Sequence, residues 1–410
     1  MTLKGHDLTQ RSLMLDVLSI YVPSFFIFLG ISIISPILPI YAQSFDVSYT
    51  LASLAISMYA IGRFLADVPV GLLTDKVGRR LLMLGGTLIL TVGAILNAMA
   101  PTFLLFLFYR FLQGVGSAMW MTSRTALLAD ILKPQERGRV MSYFQAFMLL
   151  GSSAGPTVGG YVATIYGLQA PFYAYALLGA VSLALTFFLV KEPEGIVRRH
   201  DGGSGFSLQF VKTLLVNPSF SMACLATFTI FFMRTGIRNT IIPLYASSIL
   251  DLDADAIGVV ISCATLTNLI MTIPVGHAID YYGRKPMILI SLVVSAIATL
   301  AFPFAASFIM MCAAAVLLGI GTGGAGTAPL ALATDATSDL PHGVSMGLYR
   351  LFGDLGFIFG PILLGFIADN SNLMMPFYFT AAMIILNVVL VQLFAKETYS
   401  RKSRTAAGNT

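Results

Sequence analysis

Charge is what this chain has least of. Only 10% of its 410 residues are Asp, Glu, Lys or Arg, against roughly 25% in a soluble globular domain. So few charges cannot cover a chain of this length in water. Hydrophobic residues make up 57% and the mean hydropathy is +0.85, so lipid is the expected solvent for most of the chain. Cysteine is scarce as well. Cys224, Cys263 and Cys312 each lie in an apolar run, none in a CxxC and none with a histidine close in sequence, which speaks against a structural metal or a disulfide framework. The four histidines, His6, His200, His277 and His342, fall in polar segments or at their rims. GxSxG occurs twice, as Gly151-Ser-Ser153-Ala-Gly155 and Gly343-Val-Ser345-Met-Gly347, but each lies in an apolar run rather than at a strand-to-helix turn. No HExxH or phosphate-binding loop is present, so neither an enzyme nor a nucleotide-driven pump is expected, and no cofactor is called for. The net charge of +5 does not point to nucleic acid, because the cations sit in short segments between apolar runs.

What is present is a series of twelve apolar stretches of about 20 residues or more, the length that crosses a bilayer. They run roughly over 16–42, 49–73, 81–100, 103–131, 140–165, 171–190, 218–247, 256–278, 287–305, 308–334, 343–368 and 374–395. The first is too long for a signal-peptide core and counts as a span. No alternating barrel pattern appears, so the spans are expected to be helices. Of 24 cations, 18 lie on one side of the alternation, the side that holds both ends of the chain, and the other six lie within spans. The loops on the opposite side carry acids such as Asp46, Asp251, Asp253, Asp255 and Asp369 but no cation. This predicts a multi-pass protein of the cell (inner) membrane with both termini cytoplasmic.

The ten residues Gly71-Leu-Leu-Thr-Asp75-Lys-Val-Gly78-Arg79-Arg80 follow the second run, and Gly276-His-Ala-Ile-Asp280-Tyr-Tyr-Gly283-Arg284-Lys285 repeats them after 205 residues, half the chain length. The same offset carries Pro69 to Pro274, Gly114 to Gly319, Gly116 to Gly321 and Asp130 to Asp335. It also carries Gly151, Gly155, Pro156 and Gly160 to Gly356, Gly360, Pro361 and Gly365, and Lys191-Glu192 to Lys396-Glu397. The longest polar segment, 191–217, reads as a flexible cytoplasmic linker. The expected organisation is therefore an all-α membrane protein of twelve transmembrane helices in two pseudo-repeated six-helix bundles, residues 1–190 and 218–410, the second ending in a short cytoplasmic tail. Parallel six-span repeats are the plan of rocking transporters, with the substrate site between the halves.

These residues carry a resemblance over the whole chain. Gly71-x-x-x-Asp75-Lys-x-Gly78-Arg79-Arg80 resembles the loop 2–3 signature of the major facilitator superfamily. Arg110-Phe-Leu-Gln113-Gly114-Val-Gly116 resembles its span-four motif, and Gly151-Ser-Ser-Ala-Gly155-Pro156-Thr-Val-Gly159-Gly160 is similar to the span-five motif of the drug:proton antiporters. Span one, with Gly30 and Pro36-Ile-Leu-Pro39-Ile-Tyr41, is similar to the twelve-span members of that group, but it lacks the embedded acid that some of their cationic-drug exporters carry there. The resemblance implies a major facilitator fold and export coupled to protons. It associates Arg110 with proton coupling and makes the span-five face a place where spans of opposite halves slide.

Residue chemistry adds the candidates. Gly71, Asp75, Gly78, Arg79, Arg80, Asp130, Arg139, Asp280 and Arg284 form a candidate cytoplasmic gate, with Arg79 bridging to Asp130 and Asp75 facing helix N-terminal amides. Apart from Asp16 and Asp130 at span ends, eight charges lie within spans: Arg63, Asp67, Arg110, Arg124, Arg234, Arg238, Arg350 and Asp354, a net +4; intramembrane charge is functional by default. Arg63 with Asp67 and Arg350 with Asp354 have i,i+4 spacing and can meet on one helix face. Asp354, about 17 Å into its span by helical rise, leads the proton-coupling candidates, followed by Asp67, Arg110 and Arg350. Arg124, near a span end, is expected to snorkel. Arg63, Arg234, Arg238, Asn268, Gln113, Tyr59, Trp120, Phe231 and Tyr349 are candidate substrate contacts, with Tyr109, Phe144 and Phe352 near them, although Asn268 also suits helix–helix bonding. Gly151, Gly155, Pro156, Gly159 and Gly160 suit either close helix packing or a sliding face.

The expected function is proton-coupled efflux of small amphipathic compounds or drugs by a monomer whose partners are substrate, protons and lipid. The alternative, favoured by the +4 balance, is a facilitator or proton symporter of a small organic anion. A transport-dead sensor or scaffold is a reading of another class, disfavoured by the lack of a soluble domain.

Overall fold

Long apolar runs with no water to satisfy their amides must close their hydrogen bonds along the chain, and helix results. The computed structural model describes residues 3–131, 134–190, 192, 208–324, 326–337 and 342–398, and among them no strand occurs. The helices of the first half are α1 (Leu3–Ile34), α2 (Leu38–Gln43), α3 (Tyr49–Val77), α4 (Arg79–Ala98), α5 (Phe103–Ile131), α6 (Pro134–Tyr166) and α7 (Ala170–Leu189). A short α8 (Leu208–Val216) precedes α9 (Pro218–Phe232), a π-helical segment Met233–Ile241 and α10 (Ile242–Ser248). Then follow α11 (Ala254–Tyr282), α12 (Arg284–Ala301), α13 (Phe308–Thr322), α14 (Thr327–Ala336), α15 (His342–Asn370) and α16 (Met375–Phe394). Among the described residues ten helical segments are long and apolar enough to cross a membrane. The apolar stretch Ser19–Ile34 of α1 and the 33-residue α6 supply the remaining two of the expected twelve. Their outward side chains suit lipid: Leu104, Phe188 and Ile309 are 76%, 76% and 77% exposed, an arrangement that water would penalise.

The sequence repeat is a structural repeat. Helices α3 and α11 are displaced by 205 residues at both ends, and so are α7 and α16. Where the halves differ, local chemistry explains it. The continuous α5 corresponds to the broken pair α13 and α14, and Gly323, Gly324 and Gly326 stand at the break, where glycine lowers helix propensity. Span one is interrupted at Ser35–Ile37 by Pro36 and restarted with Pro39 in the first turn of α2, as proline's missing amide and its effect on the preceding residue require.

Two compact units divide the chain. One comprises Met1–Val47, Leu54–His200 and Asp253–Val259, the other Ser48–Ser53, Asp201–Leu252 and Val260–Thr410. In the first, α1 packs on α6 and α7, and α4 on α5 and α7; in the second, α9 packs on α14 and α15, and α12 on α13 and α16. The first turn of α3 thus belongs to the second unit and that of α11 to the first. Helix-start amides lack acceptors of their own, and each of these turns is given them. In the second unit Asp369 accepts from the Tyr49 amide (2.8 Å), the Thr50 amide (2.8 Å) and the Thr50 hydroxyl (2.5 Å). In the first, the Asp255 amide donates to the Thr164 hydroxyl (3.1 Å), which donates to the Asp255 carboxylate (3.3 Å). Thr50 and Asp255 are repeat mates, as are Thr164 and Asp369; the acid and the hydroxyl have changed places.

Candidate functional site

The loop motif builds the same structure in each unit. Gly78 and Gly283 adopt φ of +105° and +103°, a region that suits glycine and disfavours other residues, and so turn the chain tightly from one helix into the next. The helices that follow begin with open amides. Glu192 accepts from the Arg79 and Arg80 amides (2.8 and 2.7 Å), and Glu397 from those of Arg284 and Lys285 (3.1 and 2.9 Å). Carboxylates at helix N-termini are stabilising. The Arg79 side chain pairs with Asp130 at 3.0 Å, as the sequence suggested, and Arg284 pairs with Asp335 at the same distance. Asp335 also accepts from the Thr398 hydroxyl at 3.0 Å. The second cation of each motif reaches the last turn of a neighbouring helix: Arg80 donates to the Phe187 carbonyl (2.6 Å) and Lys285 to that of Gln392 (2.8 Å). Gly71 is half-buried and Asp280 exposed. The side chains of Asp75 and Arg139 lie outside the described residues.

Inside the first unit, Arg110 is 5% exposed. Its Nε donates to the Ala55 carbonyl (3.2 Å), its Nη1 to Gln113 Oε1 (2.8 Å), and its guanidinium lies 4.9 Å from the Tyr59 ring centroid. Gln113 accepts again from Asn97 (3.0 Å) and donates to the Leu90 carbonyl (3.2 Å). The charge is held by an amide, a carbonyl and a ring; among the described residues no ion pair joins it. Arg63 and Asp67 are half-buried on α3, and the Thr122 hydroxyl lies 3.5 Å from the Asp67 carboxylate. Gly114 lets α5 touch α3, since a Cβ there would sit 2.1 Å from the Tyr59 carbonyl oxygen.

One expectation changes in this unit. Arg124 does not snorkel: it is 5% exposed, enclosed by the rings of Phe28, Trp120 and Phe144. The span-five stripe of Gly151, Gly155 and Gly159 packs on α1, against Phe25, Ser32 and Ile33, and the Pro156 carbonyl of the same motif lies against Gly258 of α11. Small residues allow that approach. Gly160, beside Pro156 and the stripe, faces Ala254 and Asp255 within the first unit.

In the second unit, Arg350 is exposed and Asp354 half-buried one turn further along α15. Tyr349, 7% exposed, accepts from the Thr227 hydroxyl at 2.6 Å. Arg234 and Arg238 lie in the π-helical segment, a form often found at functional sites. Arg234 is exposed, with Phe231 at 6.0 Å, whereas Arg238 is 9% exposed and donates to Asn239 at 3.1 Å. Asn268 donates to Thr322 at 3.0 Å and so joins α11 to α13, the helix–helix role open to it from sequence. Tyr109, Phe231 and Phe352 are half-buried, whereas Tyr59, Trp120, Phe144 and Tyr349 are buried. Among the described residues no cluster of three or more His, Cys, Asp or Glu could hold a metal.

Glu192, Glu397, Asn97, Thr227, Thr164 and Asp369 take part in these networks without having been candidates from sequence. Glu192 and Glu397 were visible only as a repeated Lys-Glu pair, and Asp369 only as an outer-loop acid.

The chain matches the family model described as Major Facilitator Superfamily over residues 20–254 and again over 223–410. It is 26% identical over 375 residues to an uncharacterized MFS-type transporter of Methanocaldococcus jannaschii, covering 89% of this chain and 94% of that one. It is 24% identical over 377 residues to Multidrug resistance protein 2 of Bacillus subtilis, covering 91% and 93%. The solved structure of the nucleoside transporter NupG superimposes with a TM-score of 0.75 at 13% identity, covering 93% of this chain and 100% of that one. At that identity the likeness concerns the fold alone.

Proposed function

The chain belongs to the major facilitator superfamily and is a transporter, not an enzyme; from that premise we propose that it exports small amphipathic compounds in exchange for protons. The observation that carries the coupling is Asp354. It is a half-buried acid inside the membrane-spanning α15, where a charged group is costly and functional by default. Asp67, Arg110 and Arg350 serve as its auxiliaries in this reading. The likeness to a multidrug resistance protein along 91% of the chain supports efflux and a broad amphipathic substrate class.

In this proposal two six-helix bundles, 1–190 and 218–410, joined by the 191–217 linker, work by alternating access in a monomer with both termini in the cytoplasm. The motif clusters around Arg79–Asp130 and Arg284–Asp335 form the cytoplasmic gate. Rim ion pairs are worth at most ~1 kcal/mol each, so they bias the equilibrium between states without locking it. Arg63, Arg234, Arg238, Gln113, Tyr59, Phe231 and Tyr349 are the proposed substrate contacts.

A second reading, transport of an organic anion, is favoured by Arg110, Arg124 and Arg238, all buried and none in an ion pair among the described residues. Field lines in such an interior favour negative groups. The deciding experiment places purified protein in liposomes with an internal pH-sensitive dye and adds lipophilic cations, neutral drugs and organic anions, with and without a pH gradient. Substrate-dependent proton flux opposite to substrate movement is the expected result. Substrate movement with no proton flux overturns the coupling.

A further inference from the structure

Hydrogen-bond donors without acceptors are gathered in one part of the first unit. Arg124 is 5% exposed, and its Nε and Nη1 have no hydrogen-bond partner. Trp120, one turn earlier on α5, is fully buried and its indole Nε1–H is likewise unpartnered. A turn before that, the buried Ser117 hydroxyl has no partner either. Each orphaned buried donor costs about 1–3 kcal/mol, and more when charged; native structures rarely collect several in one place.

The surrounding rings compensate only in part. The guanidinium carbon lies 4.3 Å from the Phe144 centroid, 4.6 Å from Trp120 and 5.8 Å from Phe28. Ring faces attract the cation, but they do not satisfy N–H groups that point along its plane. No ion pair reaches Arg124 among the described residues. The region therefore lacks a negatively charged acceptor, and its walls are aromatic. Phe28 is the half-buried wall, whereas Trp120 and Phe144 are buried.

We propose that Arg124, Trp120, Phe28 and Phe144 form the subsite for the carboxylate end of an aromatic acid. The guanidinium fork and the indole N–H hold the carboxylate, a planar match that arginine makes well, and the ligand's ring packs on Phe28 and Phe144. This names a substrate class for the transporter and rests on the transport reading above.

Trp120 is the chain's single tryptophan, so intrinsic fluorescence reports the box directly. Purified full-length protein in detergent is titrated with 4-nitrobenzoate and, separately, with the isosteric 4-nitrobenzamide, both quenchers. Saturable quenching by the acid, with the amide weaker by about tenfold or more, is the expected outcome, since charged hydrogen bonds of this kind carry that difference. Arg124→Gln removes the preference for the acid and Arg124→Lys retains part of it. Equal quenching by acid and amide on the unaltered protein, which needs no variant to fold, overturns the proposal. So does displacement of the acid at equal concentration by inorganic phosphate or phosphatidylglycerol, which would make the site a general anion site. Vesicle proton flux is read independently: its loss with the quenching preference intact overturns the transport reading alone.

Discussion

The Arg110 guanidinium donates to the Gln113 amide oxygen at 2.8 Å, one turn along the same helix. That oxygen accepts a second bond from Asn97 at 3.0 Å, so one uncharged amide gathers donors from α4 and α5. Replacing it with an apolar residue, Gln113→Leu, strands both donors in a buried place. The expected loss is about 2–4 kcal/mol, seen as a lower unfolding temperature in micelles and lower transport. Gln113→Glu supplies an acceptor with charge, and is expected to fold while changing the pH dependence of transport.

Asp354→Asn is expected to abolish transport driven by a pH gradient while substrate counterflow exchange survives, because exchange requires binding and rocking but no proton. Full proton-driven transport in that variant would remove Asp354 from the coupling role.

Glu192→Ala and Glu397→Ala each uncap a helix that starts at a positive-φ glycine. Each is expected to lower stability by about 1 kcal/mol, or about 2–4 °C in melting temperature for bundles of this size. Similar shifts for the two variants, measured by thermal unfolding of purified protein, would reflect their equivalent places in the repeat.

Gly114→Leu puts a side chain where the Tyr59 carbonyl already sits, since even a Cβ would be 2.1 Å from that oxygen. Backbone cannot yield as a side-chain tip can, so loss of folded protein in membranes is expected, measured as monodisperse yield after solubilisation. Gly71→Leu, at a glycine with nothing within 4 Å of its Cβ position, serves as the tolerated control.

The helices and their repeat were legible because the bilayer imposes a length and the 205-residue offset carries motifs with it. The Arg79–Asp130 pair was legible for the same reason: its two members recur together as Arg284 and Asp335. Glu192 was not, because its target amides lie 113 residues away in the chain and nothing in a Lys-Glu dipeptide reveals what it faces. Arg124 was misread because proximity to a span end suggests snorkelling, whereas the helix face it occupies turns it towards Phe28, Trp120 and Phe144. The π-helical segment around Arg234 and Arg238 left no mark in the apolar pattern, since wider turns alter hydrogen bonding without changing hydropathy.

The exchange of acid and hydroxyl between Thr50–Asp369 and Asp255–Thr164 makes the halves of this gene complementary parts that cannot stand in for one another. A chain assembled from two copies of residues 1–205 would set threonine against threonine at both helix starts and leave them without a carboxylate. One assembled from two copies of residues 206–410 would set aspartate against aspartate, two like charges at hydrogen-bonding distance. The ancestral symmetry still visible in the helix bounds has thus been spent at these two points, and the chain is committed to being read as one heterodimer-like pair of halves.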